Sequence, residues 1–487
     1  MVHKALNGSA NIWLVPLLAA LLTWSVYLLT MPPDLTWAHY GLDGGDLITA
    51  AVTWGVPHPT GYPLYILLGK LFSLLPIGTL AWRFHLLSAT AVALATAFLT
   101  HTNQTLLRPT QNATTASVAG ALTFAFTPLV WGQATIAEVY PLYLLLLTAC
   151  LWSLFTHKPA WLTGLLFGLS LTAHLTALLI LPLLIYHLHR PPTTANHQPL
   201  TRESPQTPLK TAALATLIGL LPLLLPLLLG RSQSPVIWGN PHTLPGWWWL
   251  ISGALYQPNL LALPLADLPT RLAQWSLSAA AAWGWVGWLI LIGGVLLAWK
   301  RPYNPTQRPL IITLLTTAAL YILYALSYAT EDAILYTLPT WLLLSLLLPF
   351  GLQHLNKAAL ILPALLLLLH FPTQNSRHQP TLQPAITTLL TESPNSALLL
   401  SSDTGATFAL WYGRYALQQR PDLIIVDSNL FQFDWYRQRL QALNPQLFVP
   451  PADDLAQFEA QNSTQRPYCQ VHIQPQTYTP TSSCGNQ

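Results

Sequence analysis

In 487 residues there are only 20 Lys or Arg and 16 Asp or Glu. That is 7% charged, against roughly 25% in an average soluble domain. With 52% hydrophobic residues, a mean hydropathy of +0.43 and a net charge of +4, the composition excludes an ordinary soluble enzyme, a disordered tail protein and a secreted disulfide scaffold, and argues for a polytopic protein of the lipid bilayer.

The first apolar run, Ile12–Met31, has about 20 residues and is long enough to span. It lacks an A-x-A-like site at its end, so it reads as a retained signal anchor. Further spans are expected at Phe84–Thr102, Ala113–Val130, Val139–Phe155, Thr211–Leu229, Trp275–Leu297, Leu310–Leu326, Ile334–Pro349 and Ala358–Leu369. The run from Leu162 to Tyr186 has small and polar residues at its centre, Gly168-Leu-Ser-Leu-Thr-Ala-His174, and suits one helix or a hairpin of two. Basic residues favour the cytoplasmic side. Arg108, Lys158, Arg190, Arg202, Lys210, Lys300, Arg301, Arg308 and Lys357 share one side only if that run is a hairpin. The hairpin reading gives about 11 crossings, with the N-terminus in the cytoplasm.

This topology places Pro32–Arg83, Trp131–Glu138, Arg231–Arg271 and Tyr328–Asp332 outside, with Tyr62–Leu75 as a helix lying at the outer interface. Seven of the eight acids before residue 372 fall in or at these loops; only Glu203 is cytoplasmic. Chemistry is therefore expected on the outer face.

Near residue 372 the hydropathy falls, which divides a transmembrane domain, 1–371, from an extracytoplasmic tail, 372–487. In the tail, Ser396–Ser401 and Asp422–Asp427 read as buried strands, and Thr404–Leu417 and Trp435–Leu443 as helices. The order suggests a small α/β domain with parallel strands. No Gly-rich loop follows either strand, so no nucleotide site is expected. Three cysteines are too few for a disulfide framework or a Cys-based metal site. Cys150 reads as a core thiol, and Cys469 and Cys484 can pair if the tail faces an oxidising compartment.

The first outer loop holds Asp43-Gly-Gly-Asp46 and then Gly55-Val-Pro-His-Pro-Thr-Gly-Tyr-Pro63. Acids at a membrane surface are costly unless solvated or paired. The glycines let the backbone approach a ligand, and the prolines stiffen the chain around His58. The plain alternative is a solvated turn. Two carboxylates alone are a weak signal for a divalent cation, so no cofactor is assigned. Glu138 starts a span, where an acid also suits the helix dipole. His174 lies alone at depth, where a hydrogen-bonded structural histidine is the ordinary case. Trp238-Gly-Asn240-Pro241 and the Trp247–Trp249 triplet suit the membrane interface or a sugar ring. Asp332 precedes a span. Arg83, Lys70 and Arg231 are outer-side cations able to meet a lipid phosphate. No basic stripe suggests nucleic acid, and no G-x-S-x-G, H-E-x-x-H or Walker A motif occurs.

Together, Asp43-Gly-Gly-Asp-Leu-Ile, His58-Pro-Thr-Gly-Tyr-Pro-Leu-Tyr65, Trp82-Arg83, Ala137-Glu-Val-Tyr140, Trp238-Gly-Asn-Pro241, Asp332-Ala-Ile-Leu-Tyr-Thr-Leu-Pro339, Phe408-Ala-Leu-Trp-Tyr412 and Arg420-Pro-Asp422 resemble the domain-of-unknown-function family 2723. That family includes a protein O-mannosyltransferase and looks like the GT-C glycosyltransferases. The resemblance implies an α-helical polytopic enzyme that moves a sugar, mannose for the family's named member, from a polyprenyl phosphate. The acceptor hydroxyl would be a protein Ser/Thr or an envelope glycan or lipid, and an acid of the first outer loop would act as base. Carried over, that acid is Asp43 or Asp46; Asp43 is taken as the base, with Asp46 orienting the acceptor or helping to hold Asp43. The family usually has Ser or Ala at the position of Gly44 and often Glu at that of Asp46. His58, Arg83, Glu138, His174 and Asp332 are then expected in the donor cavity, with Tyr62, Trp238 and Asn240 beside them. One displacement would invert the anomeric carbon, with the acid taking the hydroxyl proton and a cation or His58 steadying the phosphate. The absence of targeting signals fits a bacterial plasma membrane. A lipid-linked sugar transporter or flippase, and a silent membrane scaffold, are the rival readings.

Overall fold

The structure, a computed structural model, describes residues 12–107, 110–189, 206–302, 305–474 and 479–484. Arg108, Arg190, Arg202 and Glu203, all used in the charge argument, lie outside the described residues. Helix α1 (Leu14–Thr30) leads to an irregular segment, 31–43, and two short helices, α2 (Gly44–Thr53) and α3 (Pro63–Ser73). Helix α3 carries exposed Leu67 and Leu71 on one side, as an interfacial helix would.

The membrane body continues with α4 (Leu80–Leu106), α5 (Ala113–Ala125), α6 (Pro128–Ala134) and α7 (Tyr140–Phe155). The span expected over Ala113–Val130 is instead broken, and α5 and α6 meet at 67°. Thr127 is extended there (ψ 126°), as the residue before a proline prefers. Next come α8 (Ala160–Ala173), α9 (Leu181–His189), α10 (Gln206–Gly219), α11 (Leu225–Leu229) and α12 (Leu244–Ile251). The chain reverses at His174, which is extended (φ −161°, ψ 132°). Beyond it, α9 returns along α8, so that Leu184 and Leu188 share a cavity of about 280 Å³ with Thr163 and Phe167. The ring of His187, near the end of α9, lies 5.3 Å from Phe155 at the end of α7, so the hairpin brings the chain back to its starting side. The small residues of α8 serve packing. A Cβ on Gly164 or Gly168 would meet the Ala212 or Thr216 carbonyl of α10 at 1.9 or 2.3 Å, the close approach that small residues allow between membrane helices.

Helix α13 (Leu268–Lys300) is interrupted at Gly284 (φ 62°), and α14 (Gln307–Ser327) follows. The run Glu331–Gln374 contains α15 (Leu338–Leu347), α16 (Pro349–Leu352) and α17 (Ile361–Gln374). It breaks at Asn356 (φ 52°, ψ −131°). Among the described residues, five helices are long and apolar enough to cross a membrane, or six if the bent α5–α6 pair is one span. That is fewer than the crossings read from the apolar runs, because α1, α7, α8 and the 175–189 segment are shorter apolar helices of 10–17 residues. Leu17, Leu21, Leu217, Leu289 and Leu368 are all more than half exposed, which suits a surface facing lipid. The protein is an integral membrane protein.

Helix α18 (Leu382–Glu392) opens the tail, followed by β1 (Leu398–Ser401), α19 (Thr404–Trp411), β2 (Ile424–Asp427), α20 (Asp434–Leu443), α21 (Leu455–Ser463), β3 (Tyr468–Gln474) and β4 (Thr479–Cys484). The sheet order is β2-β1-β3-β4. Strand β1 is parallel to both neighbours, and β4 is antiparallel to β3. The two expected strands are present. The β3–β4 pair was not expected, because its polar, alternating residues resemble a loop. Cys469 and Cys484 face each other across that pair and form a disulfide.

Candidate active site

The site is built where the 32–83 loop, the 231–271 loop and the tail meet. Helix α2 lies against α19, and a Cβ on Gly45 would sit 2.2 Å from the Phe408 carbonyl oxygen. Only glycine permits that approach. Beyond α2, Trp54 turns the chain in the left-handed region (φ 57°). The backbone then pairs with a distant strand-like segment: the Val56 N–H donates to the Val236 carbonyl (2.9 Å), and the Trp238 N–H to that of Val56 (3.1 Å). This bridge carries Trp238 to α2 and His58 back over it.

Asp46 is completely buried and accepts three hydrogen bonds. The His58 backbone N–H donates to Oδ2 at 2.9 Å, His58 Nδ1 lies 2.6 Å from the same oxygen, and Trp238 Nε1 donates to Oδ1 at 3.2 Å. The other ring nitrogen of His58, Nε2, lies 3.4 Å from Asp43 Oδ2. The imidazole thus stands between the two acids. Phe408 stacks on it (6.1 Å, 17°), and Tyr62 meets it edge-on at 5.2 Å.

The two acids differ in access. Asp46 is sealed, while the Asp43 side chain is 40% open. That opening is a recess among other protein groups. Burial is the largest influence on the Asp43 carboxyl and raises its pKa, the His58 charge opposes the rise, and Asp332 and Asp46 add to it. For His58, burial alone would lower the pKa, but Asp43, the hydrogen bond and charge of Asp46, and Asp332 outweigh it and raise it to about 9. Glu138 is 2% exposed. Burial, then the Asp43 charge, holds its carboxyl well above the usual range, with Asp332 adding and the Val139 N–H opposing.

Aromatic rings complete the recess. His174 lies 5.2 Å from Tyr140 and 5.7 Å from Tyr336, and Tyr256 lies 6.4 Å from His58. Asp43, Asp46, His58, Tyr62, Glu138 and Asp332 are therefore gathered within electrostatic reach, with Trp238 behind Asp46 and His174 at the tyrosine side. One residue expected in the cavity, Arg83, is committed elsewhere. Arg83 donates to the carbonyls of Ser73, Ile77 and Gly78, so its guanidinium ties a turn. Asn240 is in a left-handed turn (φ 52°) and its carbonyl accepts from Thr243. Lys70 likewise donates to the Val52 carbonyl. Among the described residues, no group of three or more His, Cys, Asp or Glu is placed to hold a metal ion. Sequence reading missed Phe408 and Tyr256 as site residues. Nothing local marks either one, since each arrives by tertiary packing.

Residues 43–196 match the family described as the protein O-mannosyl-transferase TMEM260 N-terminal domain. The match begins at Asp43. The chain is similar to protein O-mannosyl-transferase TMEM260 of Mus musculus, at 25% identity over 482 residues covering 88% of this chain. It spans 64% of that protein's length. A protein O-mannosyl-transferase tmem260 of Dictyostelium discoideum is 33% identical over 118 residues, 24% of this chain and 13% of that one. Among solved structures, ArnT from Cupriavidus metallidurans bound to undecaprenyl phosphate superposes with a TM-score of 0.61. It covers 98% of this chain and 100% of that one, at 13% identity. That likeness bears out the expected α-helical, polytopic GT-C-like fold with a small α/β element near its C-terminus.

Proposed function

We propose that the protein is an inverting membrane glycosyltransferase that moves mannose from a polyprenyl phosphate to a protein Ser or Thr hydroxyl, with Asp43 as the base. The observation that carries this reading is the pairing of an open carboxylate, Asp43, with a sealed one, Asp46, through His58. A base must reach its proton, and of these two acids only Asp43 has access. The reaction balances without a cofactor. The acceptor oxygen bonds to the anomeric carbon, its proton passes to Asp43, and the bond from that carbon to the phosphate oxygen breaks. The leaving polyprenyl phosphate is already a weak base and needs no proton. Glu138, Asp332 and the tyrosine-lined recess offer hydroxyl-binding groups and ring faces of the kind a hexose uses. The names of the TMEM260 relatives support mannose and a protein acceptor, and the lipid bound to ArnT supports a polyprenyl phosphate. The Cys469–Cys484 disulfide supports an oxidising, non-cytoplasmic location for the tail, and the odd number of crossings read from the sequence then places the N-terminus in the cytoplasm.

The test is label transfer from radiolabelled polyprenyl-phosphate mannose in membranes holding the wild-type protein or Asp43→Asn. Transfer into protein that is lost in the variant is the expected result. Equal transfer by both would remove Asp43 from the chemistry. No transfer from mannose or glucose donors would return the protein to the transporter and scaffold readings.

A further inference from the structure

We infer that Asp46 and His58 form a positioning module that keeps Asp43 ionised and aimed, so that the His58 charge serves a carboxylate rather than the donor phosphate. The inference rests on Asp43 being the base, as proposed above. It follows from counting donors. A backbone N–H and an indole N–H can only donate. Both are directed at Asp46, one to each oxygen. The oxygen that receives the His58 backbone N–H also lies 2.6 Å from Nδ1, so Nδ1 is the side of the ring that donates. The ring is thereby held in one orientation, with Nε2 toward Asp43.

Only one further proton is needed at the 3.4 Å contact between Nε2 and Asp43 Oδ2. If it is on nitrogen, Asp43 is a carboxylate ready to accept a proton from the acceptor hydroxyl. If it is on oxygen, Asp43 cannot act as a base. The surroundings decide between these. The charged groups facing the imidazole are Asp43 and Asp46, with Asp332 behind them, and the rings of Tyr62, Tyr256, Trp238 and Phe408 close the other sides. The cations of the same loop, Arg83 and Lys70, are committed to backbone carbonyls. The proton therefore belongs on His58, in keeping with its pKa of about 9. During transfer it stays there. Asp43 takes the hydroxyl proton as the new glycosidic bond forms, and releases it to water once the polyprenyl phosphate has left. Asp46 never meets the substrate, which separates the two acids that the loop sequence leaves equivalent.

The experiment is the pH profile of mannose transfer by wild type, His58→Gln and Asp46→Asn, with donor KM measured alongside. Removing the imidazolium leaves Asp43 beside Asp332 and Asp46 without a counter-charge. We expect the acid limb of kcat against pH to move up by about one unit or more in His58→Gln, with kcat at neutral pH down at least tenfold and donor KM within about twofold. Asp46→Asn keeps the ring but weakens its hold, and its acid limb should move the same way by less. It reports independently if His58→Gln fails to fold. An acid limb unchanged in the folded variants would overturn the inference and leave the transferase reading standing. A defect confined to donor KM would also overturn it, by putting His58 on the phosphate. A wild-type protein that transfers no sugar would overturn both.

Discussion

The Gly45→Ala substitution tests whether the tail is part of the site. A Cβ there would lie 2.2 Å from the Phe408 carbonyl oxygen and 2.5 Å from its carbon. A carbon and a carbonyl oxygen need about 3.3 Å, so α2 and α19 must part by about 1 Å. Overpacking of this kind costs about 1–3 kcal/mol. Alanine recovers about 1 kcal/mol through its helix propensity, which leaves a net loss of up to about 2 kcal/mol. Gly44→Ala is the matched control. Its Cβ would meet Leu35 Cδ1 at 3.0 Å, the tip of a flexible side chain, and Ala137 Cβ at an ordinary 3.5 Å. The resemblance noted from the sequence, with Ser or Ala at this position, agrees with that tolerance. The assay is the thermal midpoint in detergent together with the transfer rate. Gly45→Ala should lower the midpoint by a few degrees and slow transfer at least tenfold, because Phe408 would leave its place on His58. Gly44→Ala should be close to wild type in both. If the two variants behave alike, α19 does not pack on α2 as described and the tail is not a wall of the site.

Asp43→Asn should reduce transfer by about 10²–10⁴-fold, the range of a general base, with the thermal midpoint little changed, since the side chain is partly open. Reducing Cys469–Cys484, or replacing both with alanine, opens a loop of 15 residues and should destabilise the tail by about 3 kcal/mol, measured by proteolysis of the tail with and without reductant. His58 gives a pH window. Its pKa rises from 6.5 to about 9 on folding, so its contribution is fully present below 6.5 and is lost as the pH rises through about 9. A shift of that size corresponds to about 3 kcal/mol, and equilibrium stability should fall over that window in wild type but not in His58→Gln. Arg83→Gln should lower stability through its lost carbonyl contacts and leave donor KM unchanged, since Arg83 ties a turn.

Composition and apolar runs determined the class of protein, because a chain with 7% charged residues has nowhere to bury that much apolar surface except in a bilayer. The tail strands at 398–401 and 424–427 were legible as short apolar runs between turn signals, and the hairpin at His174 from the side on which basic residues fall. The acids of the first outer loop stood out because acids are rare in this chain. Tertiary structure decided what local patterns cannot carry. The break between α5 and α6 depends on how Thr127 and Pro128 fit the bundle, and the β3–β4 pair on a disulfide partner 15 residues away. Asp43 and Asp46 are three residues apart on one turn, and the sequence offers no physical ground for the choice of Asp43 over Asp46 as base. Their difference comes from Trp238, which reaches Asp46 through the Val56 bridge, and from Phe408, which closes the far side of His58. A carboxylate's role is set by what donates to it and whether a substrate can approach, and both are properties of residues that lie some 190 and 360 positions away along the chain.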